Sequence, residues 1–375
     1  MMSFPRSRTS IRVVFLCLSL VLITSMSAMT TSAFAAATPL DAAWADLWAN
    51  RFATAATGFA GAAEDGDPEA LQGLLLAELA LGRSVEAAAT LQRYLEELPR
   101  ATSDFEVVTL AIGYLDLEDR ELSADLADGL SRLANDDDLD TIDRRRVLAM
   151  QQQLARAAGD LGKVRDLTRE LNRITAWGVL GPFDNTSGSG HAQQFIRSGA
   201  YDPYERFDGK IGQPVRWFQP DLLPYDGSIH PSRYFQQNEY ATSYVRTAVK
   251  IPDAGEYLLS LSFAGDVEVT INDQPLADVS HEIAGPERLH WRVTLPRGWN
   301  RLAVKTSHRE DGDGVALSLG NLDGSAIDDL EVSVQKNAMS VMREVVAEPV
   351  TGARDDAVLA VATAAPDDPR AALWR

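Results

Sequence analysis

The sequence predicts an α+β protein in two folded parts: an N-terminal α-helical repeat domain, then an antiparallel β-sandwich, with a helical C-terminal tail. Two periodicities carry this prediction. Between residues 40 and 174 apolar residues recur at helical spacing, as in Leu71, Leu74, Leu75 and Leu79, the pattern of a helix with one face on a core. Between Tyr240 and Leu319 they alternate with polar residues, as in Val245, Thr247, Val249 and Ile251, the pattern of strands with one buried face. The 375 residues suffice for two or three domains at roughly 150 residues each. The expected division is 1–37 signal peptide, 38–174 helical repeats, 175–325 sandwich and 326–375 helical tail.

The N-terminus reads as a secretory signal. Arg6, Arg8 and Arg12 form a positive region, and Val13 to Ile23 an apolar run shorter than the ~20 residues that span a bilayer. Ala33-Phe34-Ala35 is a small-residue cleavage site. Cleavage near Ala35 would place the protein in the periplasm or outside the cell, with the membrane a partner only during export. Cys17, the single cysteine, lies in this segment, so the mature chain would carry no disulfide and no thiolate for a metal or a reaction. Lys+Arg is 35 against Asp+Glu 54, a net charge of −19, which argues against nucleic acid and anionic membrane surfaces as partners.

Successive helical stripes follow. Ala88, Leu91 and Leu95 come after a break at Gly82-Arg83, and Pro99 ends that helix. Then come Phe105, Val108, Ile112 and Leu115; Leu122, Leu126, Leu130 and Leu133; Val147, Met150 and Leu154; and Val164, Leu167, Leu171 and Ile174. Short connections imply antiparallel neighbours and a stacked array. The stretch "DPEALQGLLLAELALGRSVEAAATLQRYLEELP" resembles a tetratricopeptide repeat, with small residues where helices cross and a proline after the second. The later pairs depart from that pattern. The acidic run Asn135 to Asp140 fails as a calcium loop, because Thr141 and Val147 stand where an EF-hand needs Gly and Glu. Asp140 or Thr141 is expected to cap the next helix instead.

The segment "WGVLGPFDN" from Trp177 opens the β part. Further alternating sets are Tyr257, Leu259, Leu261 and Phe263; Val267, Val269 and Ile271; Leu289, Trp291, Val293 and Leu295; Leu302 and Val304; and Val315, Leu317 and Leu319. Asn272-Asp273 reads as a tight hairpin and Gly298 as a turn residue. The stretches "YVRTAVKIPDAGEYLLSL", "VEVTINDQPL" and "VTLPRGWNRLAVKT" resemble the galactose-binding-like jelly roll of secreted bacterial proteins. Asn272, and Gly298 with Asn300, match its recurrent turns, with Asp273 where glycine is usual. Val341, Val345 and Val346, then Val358 to Val361, read as two helices of the tail. This order of helices and then sandwich resembles the leading part of large exported proteins that continue into repeats or a transglutaminase-like domain.

No catalytic constellation stands out. His191, His230, His281, His290 and His308 form no close-spaced metal pair, and nucleophile-elbow and phosphate-loop motifs are absent. His290 is expected on an outward strand face, and His191 and His230 in aromatic loops that could bring them together. No catalytic residue, metal or cofactor is expected, and the protein is expected not to be an enzyme. The candidate ligand site is aromatic: Trp217, Phe218, Tyr225, Tyr234 and Tyr240, with Phe235 beside them. Such rings either stack on sugars, whose C–H face is apolar, or plug the ends of the sandwich. The function expected is an exported interaction protein whose repeats hold a protein or peptide at the cell envelope. The alternatives are carbohydrate binding by the sandwich, and an accessory segment of a transglutaminase-like or hydrolase protein.

Overall fold

The computed structural model describes residues 38–97, 105–115, 120–137, 139–196, 201–221, 225–280, 286–309, 313–337 and 345–352. The expected signal peptide and the tail beyond residue 352 lie outside them. The described chain is α+β, with helices first and antiparallel sheets after. It divides into two compact units between Ala158 and Gly159.

The first unit is built from α1 (Pro39–Trp48), α2 (Phe52–Glu64), α3 (Pro68–Leu81), α4 (Ser84–Glu97), α5 (Phe105–Tyr114), α6 (Arg120–Ala134) and α7 (Thr141–Ala157). Their starts are chemically marked. Thr38 and Asp41 form a capping box, Asp67 accepts from the Glu69 and Ala70 amides, and Asp140 accepts from Asp143 N–H at 2.8 Å as its position predicts. Gly82, at φ +70, closes α3 in the left-handed conformation that glycine adopts without strain. Connections of two or three residues fold α1 on α2, α2 on α3 and α3 on α4. The stripes read from sequence are buried: Leu71, Leu75, Ala88, Leu91, Val108, Ile112, Leu126, Leu130, Val147 and Met150 share one core. Trp44 anchors its front, edge-on to Phe59 at 5.1 Å, with its indole N–H donated to Glu69. A side chain at Gly73 would collide with the Phe59 ring, so the α2–α3 crossing depends on that glycine.

The second unit begins with α8 (Leu161–Glu170), which the sequence-based boundary at 174/175 assigns to the repeats. Its ties explain the difference. Thr168 Oγ1 donates to Tyr225 O at 2.8 Å, Asn172 Nδ2 donates to the carbonyls of Gly324 and Ser325, and Ile174 N–H donates to Leu317 O. The strands are β1 (Gly178–Asp184), β2 (Phe207–Asp208), β3 (Pro214–Val215), β4 (Ser228–Ile229), β5 (Ala241–Ile251), β6 (Gly255–Ala264), β7 (Asp266–Ile271), β8 (Gln274–Val279), β9 (Pro286–Leu295), β10 (Gly298–His308), β11 (Val315–Gly320), β12 (Glu331–Ser333) and β13 (Ala347–Pro349).

One sheet runs β1-β5-β10-β7-β8, with β12 also on β5; another runs β13-β9-β6-β11-β4. Val245, Val249, Val267, Val269, Leu302 and Val304 of the first share a core with Leu259, Leu261, Trp291, Val293, Leu317 and Leu319 of the second. Asn272 and Asp273 both have positive φ, so the β7–β8 turn is the tight hairpin expected. Asn272 also accepts from Arg301 N–H and donates to Asn300 Oδ1 at 2.9 Å, while Asn300 donates to the carbonyls of Pro296 and Gly298. These asparagines replace backbone partners that two turns would otherwise lack.

Two expectations are corrected. The tail does not begin as helix at 326: Glu331–Ser333 pairs with β5 and Ala347–Pro349 with β9, so the described part of 326–352 adds strands to both sheets. Val345 and Val346 precede a strand rather than sit in a helix. His290 is not on a solvated face. It is 9 % exposed, its Nδ1 is 2.8 Å from Ser260 Oγ, and Val350 N–H is donated to its carbonyl. Residues joining β13 lie along β9 there, and alternation alone does not reveal such a cover.

Glu78 supplies a test of the helical unit. It is buried on α3 and accepts from Thr90 Oγ1 at 2.7 Å. Burial raises its carboxyl above the ordinary range, against the Thr90 bond that lowers it. A folded-state pKa above the unfolded one means that protonation favours the native state. The stabilisation is complete below the unfolded value and disappears as pH rises through the folded value. Glu78→Gln keeps the acceptor without the charge. It should raise Tm at pH 7, and the gain over wild type should vanish near pH 4; melts across that range check it.

Candidate functional site

The five sequence-predicted aromatic residues do not make one surface. Trp217 is buried at 1 % exposure with Leu180, Phe183, Ile196 and Tyr244, on the opposite side of the β1-β5-β10 sheet from the main core. Phe218 and Tyr234 meet edge-on at 6.2 Å, Phe235 joins Phe218 at 6.1 Å, and all three pack on the main core. Tyr240 is half-buried with φ +45. Only Tyr225, at 58 %, offers a ring to solvent. In this arrangement Trp217, Phe218 and Tyr234 close the unit's periphery, and a shared stacking platform is not formed. The reason is the long run of described residues 185–196 and 201–218. It folds back over the sheet and carries Phe195, Tyr201, Phe207 and Val215 against the face where Trp217 lies.

Cations hold that covering segment. Lys305, on β10, donates to the carbonyls of His191 and Gln193 and lies 3.6 Å from Glu268. Burial lowers its pKa, and Glu268 acts the other way. Lys210 donates to the carbonyls of Glu239 and Tyr240. Asn185 receives Gly190 N–H and donates to His308 O at 2.9 Å. An ammonium has three donors and no acceptor, so it can collect carbonyls that a strandless segment leaves unpaired. His191 and His230 are not brought together. His191 pairs with Asp278 at 2.8 Å, whereas His230 lies 3.9 Å from Asp313, which itself accepts from Ser232 Oγ at 2.8 Å. Asp313 also accepts from Ser232 N–H, so it caps the turn at Pro231–Tyr234 rather than orienting a histidine for catalysis. Among the described residues no group of three or more His, Cys, Asp or Glu could hold a metal ion.

An open concavity lies in the helical unit. Pro39, Ala42, Ala43 and Asp46 of α1 face Ala53, Thr54, Thr57 and Gly58 of α2 across a groove of about 460 Å³. The α1 residues fall at i, i+3, i+4 and i+7, one helical face. Every position but Asp46 is proline or a small residue, and a Cβ on Gly58 would lie 2.8 Å from Ala43 Cβ. The helices therefore approach closely at the floor and leave a shallow apolar trough above it. Asp46 sits at its edge, bound to Arg51. Residues 38–158 contain 23 carboxylates against 10 arginines and no lysine, a formal charge of 10 − 23 = −13. The sequence stripes begin at Leu71 and so locate no buried face on α1 or α2, and a trough of small residues leaves no such pattern.

Trp217→Ala should therefore act on stability. Removing a fully buried indole costs roughly 3–5 kcal/mol, read as a lower denaturant midpoint, whereas Tyr225→Ala should shift it by under about 0.5 kcal/mol.

No family model matches the chain, and no curated protein matches it. Among solved structures, the chain is similar to a crystal structure of beta-glucosidase from Kluyveromyces marxianus in complex with glucose, with 16% identity and a TM-score of 0.24 over 40% of this chain and 16% of that one. A selenomethionine-labelled crystal of beta-glucosidase from the same organism matches with 18% identity and a TM-score of 0.26 over 40% and 18%. The chain thus spans less than a fifth of the structures that it matches. The expectation that the protein is not an enzyme does not stand: the solved neighbours are beta-glucosidases, at TM-scores from which neither enzyme nor non-enzyme follows.

Proposed function

We propose that this is an exported interaction protein of the cell envelope, and that its helical unit, read as tetratricopeptide-like repeats, holds a cationic segment of a protein partner in the α1–α2 groove. The groove itself carries this reading: an open trough floored by small side chains. An amphipathic helix can lay its apolar face in such a trough. The charge of −13 over 38–158 favours a basic occupant and speeds its arrival. In this reading the β unit is a galactose-binding-like jelly-roll sandwich that accompanies the repeats. A second reading, carbohydrate binding by that sandwich, keeps Tyr225 as its exposed ring.

A fluorescein-labelled Lys/Leu/Ala amphipathic helix, and its counterpart with Glu for Lys, provide the test. The basic peptide should bind and the acidic one should not. Ala42→Arg with Thr54→Arg, both at exposed groove positions, should weaken binding about tenfold or more by filling the trough. Glu86→Arg, an exposed change on α4 with the same charge difference, should weaken it far less. Equal losses in both variants would reduce the interaction to net charge and reject the groove.

Export rests on the Arg6 to Ala35 signal. N-terminal sequencing of protein recovered from the envelope should begin just after Ala35; a start at Met1 or Met2 would reject export by cleavage.

A further inference from the structure

We infer that the covered face of the β1-β5-β10 sheet holds a small oxyanion, a carboxylate or phosphate group, against Arg246 with Arg301 beside it. In the β5–β10 register Arg246 stands opposite Ala303, and Arg301 opposite Ala248. The two guanidinium-bearing residues are therefore diagonal neighbours on one face, with methyl side chains at the other two corners. Diagonal pairs are within reach of long side chains. Arg246 is 0 % exposed and Arg301 5 %.

The charges around them leave Arg246 as the exception. Lys250 pairs with Glu331 at 2.5 Å, Lys305 with Glu268, and Arg301 with Asp273 through Nη2. The partners of Arg246 are neutral: Nη1 donates to Asn337 Oδ1 and Nη2 to Lys336 O, each at 2.8 Å, and the guanidinium lies 5.7 Å from the Tyr201 ring centroid. Among the described residues the Nε atoms of both Arg246 and Arg301 are buried without a hydrogen-bond partner. A guanidinium presents its five donors in a plane that fits carboxylate or phosphate oxygens. A buried charge held by neutral acceptors alone is a large unfavourable term unless an opposite charge joins it. Burial first, and secondarily Arg301, depress the Arg246 pKa to about 10.

The acceptors that Arg246 uses are on exposed chain. Residues 335 to 337 are at the surface. Asn337 is held there by reciprocal hydrogen bonds with the backbone of Tyr201. An oxyanion that displaces the Asn337 carboxamide and the Lys336 carbonyl meets both Nη atoms without disturbing the main core.

The test uses the whole chain. Thermal melts and isothermal titration are run with inorganic phosphate and, separately, acetate, up to about 20 mM. Wild type should show a saturable rise in Tm and saturable heat with at least one anion. A response to phosphate alone assigns a phosphate-bearing ligand, and one to acetate alone a carboxylate. Arg246→Met should abolish the saturable part and leave only the general salt effect seen at any surface. Arg246→Lys, which keeps the charge but loses the fork, should weaken binding about tenfold. Should Arg246→Met fail to fold, Arg301→Met in the same titration decides, with a weakened midpoint expected. Absence of a saturable response in wild type, or an undiminished response in every variant that folds, overturns the inference.

Discussion

The β unit depends on a constraint at β5: this strand is buried on both faces. Of its eleven residues only Lys250 is exposed. One face supplies Val245, Val249 and Ile251 to the core between the sheets, and the other supplies Tyr244, Arg246 and Ala248 to the covering segment. A strand in an antiparallel sheet ordinarily leaves one face in water. Here both must be dry, so every polar group on the outer face needs a protein partner. That requirement accounts for the ammonium of Lys305 in a pair of carbonyls and for the Thr242–Ser307 hydroxyl pair at 2.8 Å. It also accounts for the Tyr244 hydroxyl that accepts from Phe195 N–H, a phenol whose pKa burial pushes up to about 12.

Sequence alternation made one face of this sheet legible and misled about the other. Val245, Val249, Leu302 and Val304 were identifiable as core because apolar residues at period two have one reading. Thr242, Arg246, Lys305 and Ser307 occupy the intervening positions and look solvated, yet all are buried. Polarity says which side chains need partners, and it does not say whether water supplies them. The partners here lie between 65 and 114 residues away in sequence, a separation that local pattern does not encode. Trp217 illustrates the same limit. Its aromatic neighbourhood suited a sugar platform or a plug, and its place under the covering segment favours the plug.

The helical unit was more legible because its determinants are local. Stripes at 3.6-residue spacing, Asp at the first turn and Gly at the last each act within a few residues. The exception was α8, which has the same amphipathic pattern as the other helices but bonds through Thr168, Asn172 and Ile174 to β-unit chain. An amphipathic stripe identifies a buried face without identifying what buries it. The α1–α2 groove was hidden for a related reason: Ala, Gly and Thr are compatible with core, crossing point or open surface alike.

The two units therefore carry charge in opposite ways. In the helical unit the described carboxylates other than Glu78 and Asp143 are exposed or half-exposed, where water screens them and repulsion costs little, and their effect is a long-range field. In the β unit the notable charges are cationic and buried, where water cannot screen them and each must be answered by a specific atom. Replacing a buried ion by an apolar side chain of similar size is often neutral or stabilising, so stability alone does not account for Arg246, Arg301 and Lys305 on a dry face. Lys305 and Lys210 have a further role: the described residues between 185 and 240 form only two-residue strands and short turns after β1, and cations with several donors gather the carbonyls that this irregular chain cannot pair for itself. Arg301 answers Asp273 at the hairpin. Arg246 differs in kind, because neutral groups occupy donors suited to an anion, and a side chain of lower charge could hold those same two acceptors with less desolvation.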